Sequence, residues 1–245
     1  MSAPLLELSG VFKRFGGVEA VRNLSFSVAP GEVLGLIGPN GAGKTTVFNL
    51  ISGVVEPTAG RIAFDGKDIQ GSRPDKVCAA GIARTFQTSS LLPGMTAREN
   101  VHVASLFRRE LGGRTPDQIT DQALTLCGLT GVANKEADQL TTSEQKRVEV
   151  ARAYATGAKL IMTDEVVAGL NSVETDQILD ILKGINREGV TLIFVEHDVR
   201  AVMQVSHRLI VLAEGALLAE GDPATVARSS EVIRVYLGSR YAEAR

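Results

Sequence analysis

The sequence predicts an α/β fold: a core with a mostly parallel sheet, an antiparallel β-subdomain at the N-terminal end, and a helical subdomain inserted near the middle. Three observations predict it. Apolar runs at 160–162, 190–195 and 209–212 are continuous rather than alternating, as strands covered on both faces require. Between the first two, residues 173–188 carry Ile178, Ile181, Leu182 and Ile185 at helical spacing, the stripe of a crossover helix. Residues 96–109, 117–126 and 143–156 read as three helices with no strand among them.

In chain order, 5–12 and 23–28 read as early antiparallel strands. Residues 33–37 form an apolar run that ends in a glycine-rich loop, and 61–64 a strand closed by the turn signal Asp65-Gly66. One domain is expected over 1–245, its core at 1–88 and 156–245 and its helical subdomain at 89–155, with 111–116 as a loop inside the helical part.

The chain has 245 residues, 44% hydrophobic and 22% charged, with a net charge of −2 and a pI near 6.0. That suffices for a sizeable core, and the near-neutral balance predicts no nucleic-acid partner. Cys78 and Cys127 lack metal-ligand or CxxC spacing and are expected to be buried small hydrophobes. The first residues lack the basic-then-apolar pattern of a secretory signal, and no apolar stretch reaches bilayer-spanning length. A cytoplasmic location is expected, with any membrane role coming through a partner.

Gly38-Pro39-Asn40-Gly41-Ala42-Gly43-Lys44-Thr45 fits G-x-x-x-x-G-K-[ST] between a predicted strand and a predicted helix, the context that gives the motif its meaning. It marks a P-loop nucleotide-hydrolysing core. Glycines let backbone N–H groups turn inward around phosphates, and the following helix adds the positive end of its dipole. Lys44 would neutralise β- and γ-phosphate charge and Thr45 would offer its hydroxyl to Mg²⁺, with Thr46 counted in the same nucleotide-binding set. The apolar strand at 160–162 runs on into Asp164 and Glu165. An acid there suits a Mg²⁺ ion, assigned to Asp164, and Glu165 would take a proton from, or orient, the attacking water.

With these residues placed, the whole chain resembles the ATP-binding-cassette (ABC) family. Gln87, after Ala83-Arg84-Thr85-Phe86, matches the family's Q-loop glutamine, which contacts Mg²⁺ or the attacking water and senses the transmembrane partner. His197, in Val195-Glu196-His197-Asp198, matches the switch histidine on the γ-phosphate. Phe15 stands where the family stacks an aromatic ring on adenine, with a core phenylalanine as the alternative. Ala168-Gly169-Leu170-Asn171 matches the D-loop that crosses the dimer interface, with Asn171 in place of the commoner Asp.

The resemblance has departures. Where the family writes LSGGQ, this chain has Leu140-Thr141-Thr142-Ser143-Glu144, so both glycines are gone. In the family this segment opens a helix whose N-terminus approaches the γ-phosphate held by the opposite subunit, and Thr141 and Ser143 are carried over as nucleotide contacts on that basis. Thr141 with Glu144 also makes an S/T-x-x-E capping box, so a capped helix without phosphate contact is the alternative. The lost glycines and added charge imply weakened rather than abolished ATP-driven closure. Val166 replaces the usual proline after the catalytic Glu.

Phe15-Gly16-Gly17, Arg84-Thr85-Phe86-Gln87, and the tail residues Ala219-Glu220-Gly221 and Val235-Tyr236-Leu237-Gly238 are similar to the ATPase subunits of branched-chain amino-acid importers. The resemblance implies ATP and Mg²⁺, a second ATPase subunit (the same or a different chain), two membrane permeases and a periplasmic solute-binding protein. It places the chain on the inner face of the plasma membrane through its permeases. Lipopolysaccharide-export and urea-import ATPases, and non-transport ABC ATPases, are the alternatives.

Overall fold

The computed structural model describes residues 3–85, 91–108 and 110–237. The chain packs as two units, Met1–Val77 with Ile193–Arg245 and Cys78–Leu192.

In the first unit, β1 (Leu6–Phe15) and β2 (Val18–Val28) form a hairpin closed at Gly16 and Gly17, with Phe15 opposite Val18. Both strands outrun the sequence expectation. Lys13, Arg14, Val18 and Glu19 sit at the solvent-exposed tip, where no burial pattern marks a strand. On the other edge of β1 lies β4 (Ala59–Phe64), joined to β5 (Lys67–Asp68) through Asp65 and Gly66 at φ 49° and 72°. Both central residues are left-handed, as a tight hairpin turn matching strand twist requires. The resulting sheet, β2-β1-β4-β5, is the antiparallel subdomain the sequence predicts.

The same unit holds β3 (Val33–Ile37), buried at every position, parallel to β9 (Arg208–Ala213), which pairs antiparallel with β10 (Ala216–Gly221). Arg208 ties the unit together: its guanidinium donates to Glu32 Oε1 at 2.7 Å and to Glu220 and the Ser27 carbonyl. Helix α1 (Lys44–Ile51) follows β3, α7 (Val199–Val205) packs against β3, and α8 (Pro223–Ala227) and α9 (Ser230–Leu237) end the described chain.

The chain crosses between units inside α2 (Pro74–Ala80) and again inside β8 (Thr191–Val195), after Leu192. In the second unit β6 (Ile82–Arg84) lies parallel to β7 (Leu160–Asp164), and β8 starts where the Thr191 N–H donates to the Lys159 carbonyl. Helices α3 (Ala97–Ser105), α4 (Pro116–Leu126) and α5 (Thr142–Ala155) pack on one another, and α6 (Ser172–Arg187) is the predicted crossover helix. All four open with complete capping boxes, from Thr96, Thr115, Thr141 and Asn171. These caps fix the starts to within a residue of the sequence reading; α3 stops early, at Ser105, where the hydroxyl donates back to the His102 carbonyl.

Cys127 is buried as expected, and burial pushes its thiol up to about 12. Cys78 is exposed on α2, contrary to expectation, because it lies beside rather than on the one buried position of that helix, Val77.

Asn100 organises the entry to the helical layer. Fully buried, it accepts from the Leu92 N–H at 2.7 Å, and its amide donates to the carbonyls of Leu92, Met95 and Thr96. Asn100→Ala takes these bonds from the half-buried Leu92 N–H and the Leu92 and Met95 carbonyls, while the Thr96 carbonyl keeps the Asn100 N–H. It should lower unfolding free energy in urea by about 2–3 kcal/mol; a loss below about 1 kcal/mol would show that the segment re-pairs on its own.

Candidate active site

The phosphate-loop match runs from the end of β3 into α1. Gly38 has its open side against the Leu212 carbonyl of β9, where a Cβ would sit 2.4 Å away. Gly43, at φ 100°, has the Ala20 carbonyl of β2 2.6 Å from where its Cβ would be. Any side chain at either position would push the loop off its supports. The turn between β9 and β10 braces it from the other side: Gly215 N–H donates to the Ala42 carbonyl at 3.1 Å, and Arg22 N–H donates to the Gly215 carbonyl at 2.7 Å.

The head of α1 is electrostatically open. Its N-cap is Gly43, with no side-chain cap and no acidic residue in the first turn, unlike the boxed starts of α3 to α6. N–H groups at a helix start carry about half a positive charge. Lys44 adds a full one. It is only 7% exposed, and its Nζ donates to the carbonyls of Gly38 and Pro39 at 2.7 and 3.0 Å, folded over its own loop. Ala42 is buried, while Asn40, Gly41 and Thr45 are exposed and Pro39 and Thr46 half-buried. Fixed positive charge, turned-in backbone and an outward Thr45 make this a site for a polyphosphate.

Two other predicted residues lie in this unit. Phe15, at the hairpin tip, is 49% exposed, with Lys13 Nζ 4.9 Å from its ring centroid. It is not a core residue, so the core alternative falls. His197 is exposed just beyond β8, between buried Glu196 and Asp198, whose side chain caps α7 by accepting from Arg200 N–H at 2.9 Å.

The second unit carries the carboxylates. Asp164 ends β7, 5% exposed, and its carboxylate accepts from Arg84 at 3.3 Å. Its N–H donates to the Thr85 hydroxyl at 3.3 Å. Burial draws the Arg84 guanidinium below its usual range, and the Asp164 charge works against that. Glu165 is half-buried and leaves the strand at φ 53°, in the left-handed region. Its carbonyl accepts from Lys146 Nζ at 2.9 Å and from Ala168 N–H at 3.2 Å. Val166 and Val167 are buried beneath the turn, so the missing proline is replaced by packing.

At the start of α5 the Thr141 hydroxyl accepts from Glu144 N–H at 3.2 Å, and Thr141 N–H donates to the Glu144 carboxylate at 2.8 Å. These bonds, with Lys135 at 3.4 Å, hold the Glu144 carboxyl below the usual range. Thr141 and Thr142 are exposed, but Ser143 is 4% exposed and its hydroxyl has no hydrogen-bond partner among the described residues. Gln87 lies outside the described residues.

The chain was compared with known proteins. A family model described as ABC transporter matches residues 21–168, and one described as branched-chain amino acid ATP-binding cassette transporter matches 216–242. The high-affinity branched-chain amino acid transport ATP-binding protein BraF of Pseudomonas aeruginosa is 40% identical, over 97% of this chain and 99% of its own length. LivG of Escherichia coli, of the same description, is 37% identical over the same shares. The chain belongs to the ABC transporter family. Among solved structures, MJ1267, an ATP-binding cassette of an ABC transporter, superposes with a TM-score of 0.87 at 28% identity, covering 96% of this chain and 99% of its own.

The family resemblance read from the motifs is therefore met, and the second match falls on the same tail that suggested the branch. In this ABC ATPase Phe15, the loop and His197 lie in one unit, and Asp164, Glu165, Thr141 and Ser143 in the other. Sequence reasoning missed Gly215, Arg84, Thr85 and Lys146. Glu214-Gly215 carries a turn signal, but nothing local ties it to a loop some 170 positions earlier.

Because Glu144 is held below the usual carboxylate range, its contribution to α5 is complete at neutral pH and disappears as pH falls through that lowered value. Glu144→Gln should cost about 0.5–1 kcal/mol in thermal or urea unfolding at pH 7, a gap that closes on acidification. A gap that widens in acid would contradict the capping role.

Proposed function

We propose that this ABC ATPase is the ATP-binding and ATP-hydrolysing subunit of an importer for branched-chain or related amino acids. The observation that carries the nucleotide assignment is the uncapped head of α1, with Lys44 folded over the Gly38 and Pro39 carbonyls. Those carbonyls stand where phosphate oxygens compete for the same ammonium. The solute assignment rests on what BraF and LivG are named for and on the tail match at 216–242.

In this reading the backbone of Gly38 to Thr46 and the Lys44 ammonium take the phosphates, and the free face of Phe15 takes adenine. Thr45 and Asp164 would hold Mg²⁺, Gln87 is assigned to it by the family's motif alone, and bound Mg²⁺ would neutralise charge on the phosphate oxygens. The donor set fits. One hydroxyl and one carboxylate suit a hard ion that keeps waters and substrate oxygens as its other ligands. Glu165 accepts a proton from the water that attacks the γ-phosphorus, while Lys44, Gln87 and His197 steady the charge on the transferring group. Thr141 and the Ser143 backbone N–H, at the start of α5, face the nucleotide of a second subunit; the Ser143 hydroxyl is sealed inside.

The second subunit is this chain or a relative, and the pair works under two membrane permeases fed by a periplasmic binding protein, on the inner face of the membrane. Among the described residues no helix is long and apolar enough to cross a bilayer, which fits attachment through permeases. The helical segment 89–155 is the part that passes closure to a permease.

Lys44→Ala should abolish ATP binding and ATP-dependent leucine uptake in a strain lacking the native gene. Glu165→Gln should keep ATP binding while phosphate release falls about 10²- to 10⁴-fold. Phosphate release by Glu165→Gln at the wild-type rate would overturn the assignment of the base, and uptake supported by Lys44→Ala would overturn the whole reading.

A further inference from the structure

We propose that Lys146 is a positioning residue for hydrolysis, one that sets the direction of the Glu165 side chain by holding that residue's own carbonyl. The inference rests on the reading of Glu165 as the residue that takes the water's proton.

Glu165 sits at φ 53°, a conformation that side-chain-bearing residues adopt only where the surroundings over-determine it. The structure shows what does so. Before it, Asp164 N–H is fixed to the Thr85 hydroxyl at 3.3 Å. After it, Val166 and Val167 are anchored in the interior and Ala168 N–H closes the turn on the Glu165 carbonyl. The Glu165 carbonyl also accepts from a charged side chain, the Lys146 ammonium, at 2.9 Å. A bond from an ammonium is stronger than one between neutral groups, so among these restraints it resists displacement most. The carbonyl carbon and Cβ are both bonded to Cα. Fixing the plane of the one at a given φ fixes the direction of the other, and so where the carboxylate starts.

The donor's origin gives the clamp its second consequence. Lys146 stands in the second turn of α5, two residues beyond Glu144, whose box with Thr141 decides where that helix begins. A shift of the first turn of α5 moves Lys146 with it, and the backbone of Glu165 follows. The altered signature stretch is therefore linked to Glu165 within one chain.

The test is steady-state phosphate release and ATP binding by the purified full chain, as wild type, Lys146→Met, Lys146→Arg, Glu165→Gln and Lys146→Met/Glu165→Gln. Lys146→Met keeps the aliphatic stem and removes the donor. It should lower kcat about 10- to 100-fold with ATP affinity and KM unchanged, and Lys146→Arg should recover most of the loss. In the Glu165→Gln background Lys146→Met should add nothing, because the residue it positions no longer accepts a proton. An unchanged kcat, a loss confined to KM, or an equal fall in both backgrounds would overturn the proposal. A Glu165→Gln variant at wild-type rate would instead overturn the underlying reading. Should Lys146→Met fail to fold by thermal melt, Lys146→Gln carries the same comparison, its shorter donor giving an intermediate kcat if the clamp acts and a wild-type kcat if it does not.

Discussion

Positive charge at the head of α1 is the constraint on which the rest of this structure depends. Six other helices begin with a side chain that bonds one of their first amides, and α1 begins with Gly43, which has no side chain to cap its first turn. Holding such a loop in place without an anion demands outside support. β2 supplies the Ala20 carbonyl, β9 the Leu212 carbonyl and the β9–β10 turn the Gly215 amide, so the glycines at 38 and 43 are dictated by neighbours as much as by ligand. The Arg208 bridge among Glu32, Glu220 and Ser27 holds together the strands that carry these supports.

The start of α5 uses the same physics to a different end. Its first turn already has an anion, the Glu144 carboxylate, bonded to the Thr141 N–H and drawn down in pKa by that bond. A phosphate approaching this helix end meets a site that is partly satisfied and carries a negative charge, which is the physical content of the departure from LSGGQ. What α5 offers instead lies further along, where Lys146 reaches the strained turn after β7. In the proposed reading the departure weakens one link to the nucleotide and leaves the one that runs through Glu165.

Much of this was legible in the sequence, for identifiable reasons. The buried strands β3, β7, β8 and β9 announced themselves as unbroken apolar runs, and the four boxed helices as helical segments, α5 with its cap and α6 with its stripe. The hairpin tip, β6, β10, α2 and α7 to α9 did not. They are short or exposed on most faces, so neither period has room to appear. At the site, Lys44 and Asp164 could be read because each stands where one predicted element turns into the next. The exposure of Phe15 could not, since an aromatic after Lys13-Arg14 fits a core and a tip equally well. Contacts such as Arg84 with Asp164 or Gly215 with Ala42 join distant segments and exist only once the strands are paired.

ATP binding by this chain depends on whether the amides at the head of α1 take the phosphates. Hydrogen exchange over residues 40–47, measured on the full chain with and without saturating ATP in the presence of Mg²⁺, tests this directly. Strong slowing over that stretch and its braces at Ala20 and Gly215 is the predicted result. Exchange there unchanged by nucleotide, with protection arising elsewhere, would contradict it.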